Sequence, residues 1–197
     1  MKIKLIIISL MFFWSITSYA QEKSVEQLFQ TELQEKNEDV VSIKCRFKQT
    51  RQVSYLANAV VKEGDFAFTK PNDILLAFDD GDYIKMTSEY FEMKTGSNVA
   101  QTKVSANPML KNLSSILSTC VLGDFEKMSA DFTVDIQQSE KEWIVTLTPK
   151  KSKMAAKISN ITISFDKSDM SLNLLKMVEK SGDYTAYNFT NKNEIRR

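Results

Sequence analysis

Histidine is absent from all 197 residues. Its absence excludes Ser/His and Cys/His nucleophile pairs, imidazole general bases and His-ligated zinc. Cysteine is nearly absent as well: Cys45 and Cys120 are too few for a four-thiolate zinc site. They are the one pair that could form a disulfide, and two small buried hydrophobes fit their surroundings at least as well. Three prolines argue against disorder, and so do five glycines. Those glycines stand singly at apparent turns, so neither a phosphate-binding loop nor a dinucleotide fingerprint is present. No cofactor or metal is expected. After residue 20 no apolar run is long enough to cross a membrane.

What is present begins with a leader pattern. Lys2 and Lys4 precede the apolar stretch Leu5 to Ile16, and Ser18-Tyr19-Ala20 supplies small residues where a signal peptidase reads. Residues 1–20 are therefore expected to be a signal peptide, cleaved after Ala20. A single domain is expected over 21–197, a length suited to one real core. Its 24 basic residues (26 less Lys2 and Lys4) face 25 acidic ones, a balance that does not point to nucleic acid.

Periodicity organises the chain. Ser24 to Lys36 predicts an amphipathic helix with Ser24 as N-cap, Gln27 completing a capping box, and Val25, Leu28, Phe29 and Leu33 on one stripe. From Val41 the period becomes two: Ile43, Cys45 and Phe47 alternate with Lys44, Arg46 and Lys48. A strand from about Leu56 to Thr69 carries Phe66 and Phe68, and Pro71 ends it. Hairpins follow around Asp79-Asp80-Gly81-Asp82 and Thr95-Gly96-Ser97-Asn98. Asn107-Pro108 opens a second helix, with Met109, Leu110, Leu113, Ile116, Leu117 and Cys120 at helical spacing until Gly123. Strands resume at Phe132 to Ile136, Trp143 to Thr148, Lys157 to Phe165, Leu172 to Lys180 and Tyr184 to Thr190. About ten or eleven strands and two principal helices result. Such a sheet must hide its apolar face, either as a curled sheet under a helical lid over a partly filled concavity or as a compact sandwich.

Candidate chemistry is sparse. Asp79, Asp80 and Asp82 miss the EF-hand spacing and read as a turn. No spacing singles out a carboxylate pair for glycoside cleavage. The sequons at Asn112, Asn160 and Asn188 are read as chance matches. Nine Met and twelve Phe suit either ordinary packing or a deformable apolar cavity, to which Met86, Met93, Met109 and Met128 would contribute.

Several motifs occur in order: Phe47-Lys48-Gln49, Gly64-Asp65-Phe66-Ala67-Phe68-Thr69-Lys70-Pro71, Asp80-Gly81 before an apolar strand, the helix from Asn107 to Gly123, and Trp143 to Pro149. Together they resemble the periplasmic outer-membrane lipoprotein carrier family, LolA. The resemblance implies a mainly β fold with α, an incomplete antiparallel barrel whose helices form a lid over a hydrophobic cavity. It implies a periplasmic chaperone, not an enzyme, that takes acylated lipoproteins from an inner-membrane ABC transporter to an outer-membrane acceptor. A monomer is expected. The cavity candidates are Phe47, Phe66, Phe68, Phe78, Ile84, Met86, Phe91 and Met93 on the sheet, with Leu110, Leu113 and Leu117 on the lid. The family's lid latch, an Arg bonded to helix backbone before a Pro, falls here at Lys70 and Pro71. An ammonium keeps the charge and donors but loses the planar fork. The competing readings are a carrier or sensor of another amphiphile, such as a glycolipid or free lipid, a carboxylate hydrolase, and a sandwich interaction module with a filled core.

Overall fold

A computed structural model describes residues 24–106, 108–123, 125–150 and 152–197. The expected signal peptide, the Asn107 cap and the side chains of Met109, Leu110 and Leu113 lie outside the described residues. Eleven strands form one antiparallel sheet. They are β1 (Val40–Gln52), β2 (Val60–Thr69), β3 (Asp73–Phe78), β4 (Tyr83–Met86), β5 (Tyr90–Thr95), β6 (Asn98–Lys103), β7 (Phe132–Gln138), β8 (Glu142–Pro149), β9 (Ile158–Asp166), β10 (Leu172–Glu179) and β11 (Tyr184–Arg196). Helices α1 (Val25–Asn37), α2 (Pro108–Leu122) and the single-turn α3 (Ser152–Ala155) complete the fold.

The strand order is β6-β5-β4-β3-β2-β1-β11-β10-β9-β8-β7. Each half is a meander of short hairpins, and the first and last strands meet in the middle. Because β6 and β7 stay unpaired with each other, the curved sheet is an unclosed barrel with two free edges. Local turn chemistry makes the meander. At the β5–β6 hairpin Gly96 sits at φ +60° in the first position of a two-residue loop, where a backbone twist matching the strands requires a residue without Cβ. Gly64 acts differently. A Cβ there would lie 2.2 Å from the Ala77 carbonyl oxygen, so glycine lets β2 and β3 close together between the rings of Phe47 and Phe78, its cross-strand partners.

Two boundaries differ from expectation. The second strand begins at Val60 rather than near Leu56. The last strand does not stop at Thr190 but runs to Arg196, passing a bulge where Asn191 takes φ +54°. Its polar run Asn191 to Glu194 shows no alternation, yet it pairs with the start of β1, so the partner strand supplies the order that its own side chains lack.

The capping box at Ser24 and Gln27 forms as expected, with the Gln27 amide donating to Ser24 Oγ at 3.2 Å and the Ser24 amide to Gln27 Oε1 at 3.1 Å. The helix stripe is narrower than expected. Phe29 and Leu33 are fully buried, whereas Val25 and Leu28 are exposed at the helix start. Phe29 anchors α1 on the later half of the sheet, its ring 5.5, 5.5 and 5.4 Å from those of Phe125, Trp143 and Phe165. Trp143 Nε1 also donates to Glu32 at 3.1 Å, which satisfies the indole of a buried ring. From α2, Ile116, Leu117, Cys120 and Val121 enter the same core.

Candidate ligand-binding cavity

Directly paired residues of antiparallel strands share a face, so the register decides which side chains can meet. Ile43, Cys45 and Phe47 pair with Phe68, Phe66 and Gly64, and these in turn with Ile74, Leu76 and Phe78. Ile74 and Leu76 pair with Met86 and Ile84, which pair with Phe91 and Met93. All eight sheet candidates therefore lie on one inner face. Across β1 that face continues through Phe189 and Tyr187, Leu175 and Met177, Ile161, Ile163 and Phe165, then Trp143, Val145 and Leu147.

Sharing a face does not leave the candidates around a void. Phe47, Phe66, Phe68 and Met86 are buried in the core, with Phe47 edge-on to Phe78 at 5.2 Å and Phe66 edge-on to Phe189 at 5.2 Å. Leu117 joins the same core. Ile84 and Phe91 are half-buried against it, and Met93 is 39% exposed. Packing fades toward β6, every residue of which is exposed.

The open space lies on the other side of β1. A cavity of about 220 Å³ is lined by Gln49, Arg51, Ile116, Ile161, Leu175, Met177, Thr185 and Tyr187. It exceeds the roughly 150 Å³ of an engineered apolar cavity that holds benzene. Ile116 of α2 roofs it, and Ile161 and Leu175 form a buried apolar floor. Gln49 Nε2 donates to the Tyr187 hydroxyl at 2.8 Å across the β1–β11 pair, and burial pushes the Tyr187 phenol above its ordinary value. The other face of α2 is polar: Ser114, Ser115, Ser118 and Thr119 line a groove with Gln34 and Asn72. The helix is thus a roof with a dry underside. None of the cavity-lining residues is among the eleven cavity candidates, although Gln49 belongs to the Phe47-Lys48-Gln49 motif and Ile116 to the apolar stripe of the second helix. A signal was there in part, since Ile161 and Met177 follow the period-two pattern of their strands.

Lys70 lies at the corner after β2, where its peptide bond to Pro71 is cis. Its ammonium donates to the carbonyls of Asn37 at 3.0 Å and Glu38 at 3.2 Å. Beside it, Arg196 Nη1 donates to the Lys36 carbonyl at 2.7 Å. Two cations thus meet the unpaired carbonyls and negative dipole end of α1. They tie that helix to β2 and β11, the two strands that flank β1.

The acidic turn is a hub of ion pairs. Arg46 binds Asp79 through both nitrogens at 2.9 and 2.7 Å and reaches Asp65 at 3.3 Å. Lys62 pairs with Asp80 at 2.8 Å and Asp82 at 2.7 Å. Hydrogen bonds from these cations hold the three turn carboxyls below their usual range. Cys45 and Cys120 are free and buried. Burial pushes the Cys45 thiol up to about 11 and the Cys120 thiol still further, so neither is a nucleophile near neutral pH.

The model of the family described as outer membrane lipoprotein carrier protein LolA matches residues 38–197. The chain belongs to the LolA family. No curated protein matches it in sequence. Among solved structures, an uncharacterized conserved protein from Thermus thermophilus is 5% identical with a TM-score of 0.51 over 85% of this chain and 86% of that one. A putative outer membrane lipoprotein-sorting protein domain from Vibrio parahaemolyticus is 9% identical, TM-score 0.47, over 85% and 91% of the two chains. A LolA superfamily protein from Nitrosomonas europaea is 9% identical, TM-score 0.39, over 86% and 94%. At these identities the Thermus likeness speaks for the fold alone. Among the described helices of this LolA-family chain, none is long and apolar enough to cross a membrane.

Proposed function

We propose that this LolA-family chain is a periplasmic carrier that shelters acyl chains of lipoproteins on the inner face of its sheet. It moves them from an inner-membrane ABC transporter to an outer-membrane acceptor, working as a single-domain monomer without catalysis or nucleotide of its own. The observation that carries this reading is the cavity under α2: an apolar floor and roof in a chain whose sequence holds no histidine. Burial of each methylene is worth about 0.8 kcal/mol, so a lipoprotein's chains need such a shelter to leave a membrane. In this reading Lys70 latches α1, and the ring-lined half of the inner face opens to longer chains when the helices shift.

The test is a release assay on spheroplasts. Acylated lipoproteins are expected in the soluble fraction when the protein is added, and to stay on the membrane without it. Equal release in both arms would overturn the carrier role. A second reading, a carrier or sensor of another amphiphile, draws on the modest size of the cavity. Mass spectrometry of material that co-purifies with the protein separates the two, since acylated polypeptide and free lipid differ grossly in mass.

A further inference from the structure

The geometry points to an anion-recognising mouth on the cavity: Arg51, with the Tyr187 hydroxyl, receives the carboxylate or phosphate of an amphiphile whose single apolar chain lies on Ile161 and Leu175 beneath Ile116. This goes beyond the lipoprotein reading, because it names a ligand by its head group, and it rests on that reading only in requiring that the cavity take an apolar chain.

Three observations support it. The cavity is two-ended, with Ile116, Ile161 and Leu175 buried at one end and Gln49, Arg51 and Thr185 at the other. Arg51 is exposed and makes no ion pair among the described residues, although a guanidinium carries five donors in a fixed fork. Its cross-strand neighbours are Thr185 on β11 and Val60 on β2, neither of which can neutralise it. The next cation on the same face, Lys62, is held by Asp80 and Asp82. Arg51 is therefore the uncommitted charge at this mouth. Tyr187 adds a donor: its oxygen already accepts from Gln49, which leaves the phenolic hydrogen for an acceptor in the cavity. A planar guanidinium and a hydroxyl suit an anionic oxygen pair. An ester or amide carbonyl, or an alcohol, would gain less from them.

The experiment measures binding of a fluorescent long-chain fatty acid and of its methyl ester to the mature protein, with a lysophosphatidic acid and a neutral monoacylglycerol as competitors. The acid is expected to bind about tenfold more tightly than the ester, as charge-assisted hydrogen bonds dictate. That preference should shrink with added salt, fall to about parity in Arg51→Gln and largely return in Arg51→Lys, with the loss falling mainly on the acid. Ile161→Phe should abolish binding of both probes. Better competition by the lysophosphatidic acid than by the monoacylglycerol would extend the site to phosphate heads, while competition by neither would confine it to carboxylates. Equal affinity for acid and ester, an unchanged preference in Arg51→Gln, or binding that survives Ile161→Phe overturns the anionic mouth and leaves the carrier reading standing. Failure of every apolar probe to bind overturns both.

Discussion

On one side of β1 the inner face of the sheet is filled with rings, and on the other it is roofed by helices and left partly empty. Phe47 packs edge-on against Phe78 and Phe66 against Phe189, and Phe68 lies fully buried in the same core, which Leu117 of α2 joins. The later half uses branched aliphatics with less reach. Its Phe29, Phe125, Trp143 and Phe165 cluster gathers where α1 docks and leaves the strip between α2 and β9–β11 lined by Ile116, Ile161, Leu175 and Met177, with the Tyr187 ring beside them. Aromatic density therefore marks where this fold is full. The space for a ligand lies where side chains are shorter and a helix spans above them.

The largest expected effects come from that docking cluster. Trp143→Ala and Phe29→Ala should each cost about 3–5 kcal/mol in urea unfolding, as large buried rings do, whereas Met93→Ala should cost about 1 kcal/mol or less, because its side chain stands 39% exposed at the sheet margin. Equal losses at the three positions would erase the contrast between packed centre and exposed margin. The next effect bears on function. Met177→Trp, filling the cavity, should weaken acyl-probe binding by about tenfold or more, since a pocket of this kind buries most of its ligand. Phe68→Leu, in protein still folded, should leave affinity within about twofold on the same grounds. Reversal of those two results would move the site back to the ring-lined half.

Smaller in size, but aimed at the joint between the halves, is the Lys70 contact. Lys70→Leu should lower stability by about 1–2 kcal/mol, the usual range for a cation at helix carbonyls, and raise the rate of lid opening in a fluorescence assay, while Lys70→Arg should match or exceed the parent. If neither variant differs from the parent, Lys70 is only a strand-end charge. The smallest effect is on pH dependence. Both thiols are protonated in the fold beyond the point where an unfolded chain ionises them, so they stabilise fully below about pH 8.5 and progressively less as pH climbs toward 11. Replacing Cys45 and Cys120 by Ala should flatten that alkaline decline in denaturation midpoints, and slow reaction of the native protein with a thiol reagent at pH 8 should become fast in urea.

Legibility followed distance along the chain. The capping box of α1 and the two-residue turn at Gly96 were readable because every atom involved lies within four residues. The eight candidates on β1 to β5 share a face for a similar reason: alternation within a strand and short turns between strands carry the phase across a meander. The end of β11 was not readable, since Asn191 to Glu194 take their conformation from a partner strand about 150 residues earlier. Nor could Arg51 be picked out among the many basic residues of the chain, because its importance comes from facing Thr185 and Tyr187 rather than a carboxylate.

Composition and hydrophobic periodicity alone dictate a mainly β chain with an apolar inner face, and the lack of histidine removes imidazole chemistry. Periodicity of two and 3.6 is a local property, and composition needs no fold at all. Which part of that face stays empty is set by long-range packing. That depends on where α2 comes to rest and on β1 meeting β11, two long-range events that place Ile116 over Ile161 and Leu175 with Arg51 at the rim.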